Sequence, residues 1–294
     1  MKEKLKKYCN NIGIEYVGIA PIRPYNELKD IIKKREENNW LSGMEEGDIE
    51  KRIDPKLIMD DCRSIIVCLF PYYIKDINSN ISNYTYGKDY HMVVKEKLNQ
   101  IGSYLSSEIE GFKYEAFTDT GPLADRYLAY MAGLGFFGLN QSLINDKYGT
   151  YTFIGYIINN YPFKEDTPLN KTCLRCGECI EACPGKALYD DFNMDAKKCV
   201  SYLTQKKEEL RVDEIEKVKK AKKVFGCDVC QQVCPHNKNV AKTNIIEFKE
   251  DLLTSLDKGE IENMSNKGFK REYGNRAFSW RGRKIISRNF SYMD

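Results

Sequence analysis

The chain has 294 residues, a formal net charge of +3, and 42% hydrophobic against 30% charged residues. That length can bury the cores of two domains, and the composition excludes a disordered or fibrous chain. No apolar run approaches the roughly 20 residues that cross a bilayer, and Met1–Lys7 is charged with no apolar stretch after it, so neither membrane segment nor secretory leader is expected and a cytoplasmic location is.

Residues 2–12 carry an amphipathic helix pattern, and Tyr16–Ala20 reads as a first strand. Asn26–Asn38 is helical by composition and leads into an exposed loop, Asn39–Met44. Trp40 in that loop either lines a substrate mouth or anchors packing at a helix end. Asp48–Arg52 precedes Pro55 and the apolar strand Ser64–Phe70, in which Cys68 reads as a core residue. Residues 71–86, rich in Asn, Ser and Tyr, predict a long surface loop, and Gly87–His91 opens a helix to about Ser107. Ala116–Asp119 closes the next strand. Pro122 predicts a helix beginning there, with Asp119 either capping it or serving chemistry. Gly133-x-Gly135-x-x-Gly138 matches a dinucleotide fingerprint only superficially, because it follows a helical stretch rather than a strand. Tyr148–Asn159 is a strand. The alternation predicts an α/β (α+β) domain over 1–165, a second domain over 166–240 after a polar linker, and a basic helical tail over 241–294.

The second domain carries Cys173-Leu-Arg-Cys176-Gly-Glu-Cys179-Ile-Glu-Ala-Cys183-Pro184. This is the ferredoxin run for cubane clusters, in which a tight loop brings three thiolates to one cube and the fourth reaches a second. Cys227-Asp-Val-Cys230-Gln-Gln-Val-Cys234-Pro235 follows, with Cys199 alone upstream. Eight ligands suit two [4Fe–4S] clusters. The crossed ligation of two-cluster ferredoxins assigns Cys173, Cys176, Cys179 and Cys234 to one, and Cys183, Cys199, Cys227 and Cys230 to the other. Zinc explains an isolated C-x-x-C pair but not this series. Cys9, Cys62 and Cys68 fall outside the pattern.

Charge is unevenly spread. From Lys197 onward 22 Lys and Arg face 14 Asp and Glu. Basic residues gather in Lys217–Lys223 and in Lys267–Arg288, the latter including Trp280-Arg281-Gly282-Arg283-Lys284. The pattern fits a footprint for a polyanion such as RNA, or a solvated lysine-rich helix face.

Gly87-Lys-Asp-Tyr90-His91, Thr118-Asp119-Thr-Gly121, Gly133-Leu-Gly-Phe, Cys199-Val-Ser-Tyr-Leu-Thr-Gln205, Phe225-Gly-Cys-Asp-Val-Cys-Gln-Gln-Val-Cys-Pro235 and Ser279-Trp-Arg-Gly282 together resemble the epoxyqueuosine reductase family, over nearly the whole chain. The resemblance implies cobalamin bound base-off beside two [4Fe–4S] clusters, and reduction of the epoxide of epoxyqueuosine at the tRNA wobble position to the alkene of queuosine. Asp119 is then the proton donor, a carboxylic acid keeping its proton near neutral pH, with Tyr90 and His91 orienting it or the substrate. Arg52, Asp119, Leu143, Ile154, Ser201 and Asp228 match cobalamin-lining positions. Asp89-x-His91 does not continue to the glycine of the motif that supplies histidine to cobalt, in keeping with that family. The resemblance also implies a low-potential reductant such as flavodoxin or ferredoxin as partner, and a monomer. Longer relatives continue into helical repeats that help grip tRNA, so here tRNA binding is expected to rest on Thr204, Gln205, Lys206, Lys207, Arg281, Arg283 and Lys284, with steep salt dependence. Two rival readings share the cysteine pattern: another corrinoid reductase such as a reductive dehalogenase, and a non-catalytic ferredoxin-type electron carrier.

Overall fold

Helix α1 (Lys2–Asn11) leads into strand β1 (Tyr16–Ala20), and helices α2 (Glu27–Glu37) and α3 (Ile49–Ile53) carry the chain to β2 (Ser64–Pro71). Helix α4 (Tyr90–Glu108) precedes β3 (Tyr114–Thr118). Helix α5 (Asp125–Met131) and a small hairpin, β4 (Phe136–Phe137) with β5 (Leu143–Ile144), precede β6 (Thr152–Asn159). This architecture comes from a computed structural model, which describes residues 1–293.

The unbroken apolar run of β2 is explained by burial on both faces. Ile66, Cys68 and Phe70 join α1 and α4 through Leu5, Cys9, Val94 and Leu98 in one core. Ile65, Val67 and Leu69 face the other way, onto Leu28, Ile32 and Leu128 of α2 and α5. Gly18 in β1 lets α5 close in, since a Cβ there would lie 2.3 Å from the Ala132 carbonyl oxygen. The sheet order is β1-β2-β6-β3, and every neighbouring pair is antiparallel. The fold is therefore α+β rather than a parallel α/β sheet. Helix–strand alternation in sequence does not distinguish the two, because strand direction depends on which neighbours pair.

Two local expectations are corrected. Helix α5 starts at Asp125, not Pro122, and Asp119 sits in a turn with φ +57, so it caps no helix. Residues 71–86 are a surface loop only in part: Lys75, Asp76 and Asn78 are exposed, but Ile81, Ser82, Thr85 and Tyr86 are each at most 2% exposed. Ile81 bridges to Phe225, which ties this segment to the cysteine-rich region.

That region contributes only short helices, α6 (Glu178–Ala182), α7 (Val200–Leu203), α8 (Val212–Ala221) and α9 (Val229–Gln232), as expected where thiol loops replace a conventional core. The basic end of the chain forms α10 (Lys258–Asn263), α11 (Asn266–Tyr273) and α12 (Arg283–Ser291). It is not a loose tail. Phe269, Phe278, Ile286 and Phe290 pack with Ile81, Tyr86 and Phe225 into a core of their own. On α8 the lysine-rich face is partly paired, with Lys217 2.9 Å from Asp213, which favours the solvated-face reading there. No helix among the described residues is long and apolar enough to cross a membrane.

Candidate active site

The site starts from a helix cap. Asp89 caps α4 by accepting the His91 backbone N–H (3.0 Å), and the same oxygen lies 2.8 Å from His91 Nδ1. The ring is therefore fixed, and its Nε2 points to Asp119 Oδ2 at 3.1 Å. Tyr90 stacks on His91 at 4.1 Å and on Phe153 at 4.2 Å. Thr120 N–H donates to the Thr118 carbonyl (2.6 Å), closing the tight turn that presents Asp119.

Burial pulls the His91 imidazole down, but its hydrogen bonds to Asp119 and Asp89 outweigh this and raise its pKa to about 9. For Asp119 burial pushes up, while His91 and then Tyr90 pull down more strongly, leaving the carboxyl below its ordinary range. The expectation that Asp119 stores a proton at neutral pH is thus corrected: in the free protein His91 holds it. Asp119 is also 55% exposed at its side chain, because it lines an open cleft.

The cleft has a volume of about 910 Å³ and gathers side chains from remote parts of the chain. Of the residues singled out in the sequence it unites Arg52, Tyr90, His91, Asp119, Ser201, Gln205 and Arg281. It also takes in Trp40, expected either at a substrate mouth or as a packing anchor, and Trp280 of the Ser279–Gly282 motif, and adds Arg35, Asp125 and Arg126, which no sequence pattern marked as site residues. Asp89 was also missed as an orienting group, although its place two residues before His91 was a usable cap signal. Trp280 is 52% exposed at the cleft, with its indole N–H donating to Gln205 Oε1 (2.9 Å) and the Arg281 guanidinium 3.7 Å from its ring centre. Trp40 packs on Tyr189 at 4.8 Å.

Other residues expected at the site lie elsewhere. Leu143 and Ile154 are buried in the sheet core behind the cleft. Asp228 is 1% exposed and accepts from Asn83 N–H (2.9 Å) and from the Ser82 hydroxyl, with Lys223 at 3.6 Å. Thr204 is fully buried; its hydroxyl accepts from Gly226 N–H (3.0 Å) and donates to the Ser201 carbonyl (3.1 Å). Lys206 pairs with buried Glu214 (3.2 Å), and Arg283 donates to the Ile261 carbonyl and Asn266. Lys207 and Lys284 are exposed but do not line the cleft.

The eight motif cysteines fall into two groups. Cys173, Cys176, Cys179 and Cys234 line one small pocket. Burial and then the charges of Cys234, Cys173 and Cys176 push the Cys179 thiol up to about 11. Burial also raises the Cys230 thiol, reinforced by Cys199, Cys227 and Cys183 and then by Cys179. Backbone N–H groups already face the sulfurs, as at Arg175 N to Cys173 Sγ and Ala187 N to Cys183 Sγ, both 3.4 Å. Among the described residues no set of three or more His, Cys, Asp or Glu closes on a single metal ion. Cys199 of the second group lines the cleft itself; Cys176 of the first is exposed.

A double thiol quartet beside a cleft with a charged imidazole–carboxylate pair defines an iron–sulfur oxidoreductase. The family of 4Fe-4S double cluster binding domains matches residues 172–237, and epoxyqueuosine reductase QueG, DUF1730, matches residues 52–120. An epoxyqueuosine reductase of Bacillus anthracis is 35% identical over 98% of this chain and 78% of that protein. An epoxyqueuosine reductase crystallised with an epoxyqueuosine-modified tRNA-Tyr stem loop superposes with a TM-score of 0.90, at 34% identity, over 99% of this chain and 80% of that one. The Bacillus subtilis enzyme, in a form with its catalytic aspartate loop swung out of the active site, gives 0.89 at 33% identity over the same shares. The chain belongs to the epoxyqueuosine reductase family and is an oxidoreductase, which removes the reading as a bare electron carrier.

Proposed function

We propose that this chain reduces epoxyqueuosine at the tRNA wobble position to queuosine, as a cytoplasmic monomer. The observation that carries the reading is the shared cleft: the Asp119–His91 pair and Cys199 open into one cavity. Family membership supplies the substrate class, since a relative was crystallised with an epoxyqueuosine-modified tRNA stem loop.

Turning an epoxide into an alkene consumes two electrons and two protons and releases the oxygen as water. Cys173, Cys176, Cys179 and Cys234 would hold one [4Fe–4S] cluster, and Cys183, Cys199, Cys227 and Cys230 the other. The cleft volume is that of a large cofactor site, and Arg52, Asp119 and Ser201 are the lining residues that would hold base-off cobalamin. When bound, the clusters and the corrin supply single electrons and a low-potential cobalt centre. Both nitrogens of His91 face carboxylates, so this ring is committed to Asp89 and Asp119.

The protein's own work is proton delivery and positioning. His91 stores a proton at neutral pH, and Asp119, in hydrogen-bond reach of it, passes one to the oxygen as the C–O bond opens. Substrate filling the cleft would strip water from Asp119 and raise its proton affinity when the proton is needed. Tyr90 holds the His91 ring by stacking. Gln205, Trp280 and Arg281 line the cleft and would meet the anticodon arm. A reductant of flavodoxin or ferredoxin type would meet the thiol group containing exposed Cys176.

The test is direct. Iron- and cobalamin-loaded protein, given epoxyqueuosine-containing tRNA and a chemical reductant, should yield queuosine by nucleoside mass spectrometry. Unchanged epoxide despite full iron and corrin content would refute the reading.

A further inference from the structure

Helices α2, α3 and α5 place Arg35, Arg52 and Arg126 on one side of the cleft. None of the three forms an ion pair among the described residues. The nearby carboxylate of Glu45 is occupied instead by the backbone N–H groups of Ser42, Gly43 and Met44, at 2.8–3.0 Å. Burial holds Arg35 below its ordinary range, and the charges of Arg126 and Arg52 act in the same sense against smaller opposite effects of Glu45 and Asp191; Glu45, Glu46 and Asp125 line the same cleft. Partly desolvated guanidiniums that repel one another are costly to hold together without an anion.

Gln141 joins two of them. Its side chain is in a residue only 6% exposed, and its backbone takes a left-handed φ of +63, strained for glutamine. Its Oε1 accepts from Arg35 Nη2 (2.7 Å), and its carbonyl accepts from Arg126 Nη1 (2.5 Å). Its Nε2 is buried and has no hydrogen-bond partner. Arg35 also donates to Asn193 Oδ1 (3.1 Å). The remaining capacity of the group is donors only.

The geometry points to a phosphodiester-binding subsite in the cleft, in which Arg35, Arg52 and Arg126 supply the charge and Gln141, behind them, holds two of the three guanidiniums in place. Arg forks match phosphate oxygens in pairs. The inference rests on the proposed function, because both molecules placed in the cleft there carry this group. One is the nucleotide loop of a complete cobamide; the other is the tRNA backbone.

The full chain with clusters reconstituted, as wild type, Arg35→Gln and Arg126→Gln, is titrated with cobalamin, with cobinamide (which lacks the nucleotide loop and its phosphodiester), and with an anticodon stem-loop over a salt series. Corrinoid binding is read by absorbance after gel filtration. If the cofactor supplies the phosphate, wild type prefers cobalamin to cobinamide by about 10-fold or more, and the variants lose that preference while still binding cobinamide. If the tRNA supplies it, stem-loop affinity falls and the slope against log salt shrinks by about one for each phosphate left without its arginine, with corrinoid binding unchanged. Should Arg35→Gln unfold because it links two parts of the structure, Arg126→Gln and the wild-type cobinamide comparison still decide. Wild type that binds corrinoid and stem-loop, with neither preference nor slope altered in a folded variant, overturns the subsite and leaves the proposed function standing. Wild type that binds neither overturns both.

Discussion

His91 Nε2 lies 3.1 Å from Asp119 Oδ2, so the group that carries a proton at neutral pH and the group that faces the cleft are joined by one hydrogen bond. The imidazole stays charged up to about pH 9 because hydrogen bonds to Asp119 and Asp89 exceed the effect of burial. Turnover should therefore fall as pH rises through about 9, and His91→Gln should lower turnover and abolish that limb. The stabilising effect of the bonded imidazolium is complete below the unfolded value near 6.5 and disappears as pH climbs through the folded one. Rate–pH profiles with unfolding curves at pH 6 and pH 10 check both. A limb unchanged in His91→Gln would assign the proton elsewhere.

Asp119→Asn keeps the shape of the turn but cannot pass a proton. The chemical step should slow by about 10²- to 10⁴-fold, with iron content and stem-loop affinity intact. Single-turnover mass spectrometry measures this; a rate within a factor of three of wild type would exclude Asp119 from proton transfer.

The two thiol groups predict separable losses. Cys176→Ser should leave about four of the eight iron atoms expected for two cubanes, and the protein should stay folded, because Cys176 is exposed. Cys199→Ser should remove the other cluster and interrupt delivery to the cleft even when the outer cluster is intact. Iron analysis with low-temperature paramagnetic resonance distinguishes the two, and identical spectra from both variants would contradict the pairing.

Trp280 is an exposed ring anchored by Gln205 and overlain by Arg281, which suits stacking against an unpaired base. Trp280→Ala should cost about 1–3 kcal/mol of stem-loop binding, and Trp280→Phe much less. Fluorescence anisotropy at fixed salt reads the difference; equal affinities would show that the ring only packs.

Thr204 separates architecture from recognition. Its buried hydroxyl joins Ser201 to Gly226, so Thr204→Ala should lower stability by about 1–2 kcal/mol without changing affinity for the stem-loop. A selective loss of affinity would restore it as a tRNA contact.

Local pattern revealed most of the elements. The run Ser64–Phe70, the helix opening at Gly87–His91 and the cysteine spacing each write their structure into a few adjacent residues. What the sequence hid was long-range. Strand direction depends on pairing between β2 and β6, some 90 residues apart. The burial of Ile81 and Tyr86 depends on Phe225 and on helices beyond residue 257. The proton balance between His91 and Asp119 depends on a hydrogen bond across 28 positions, and hydropathy carries no trace of it. Arg35, Arg126 and Trp280 reach the cleft from separate segments, so no motif could have united them.

Several motif thiols are largely out of reach of solvent: Cys179, Cys183 and Cys234 are each no more than 8% exposed, and Cys179 and Cys183 pack with Leu139 and Leu188. Iron added after the chain has closed would have to reopen it. Maturation is thus bound to folding, and a cell short of iron should accumulate loosely assembled, protease-sensitive chains rather than a reservoir of intact apoenzyme awaiting repair.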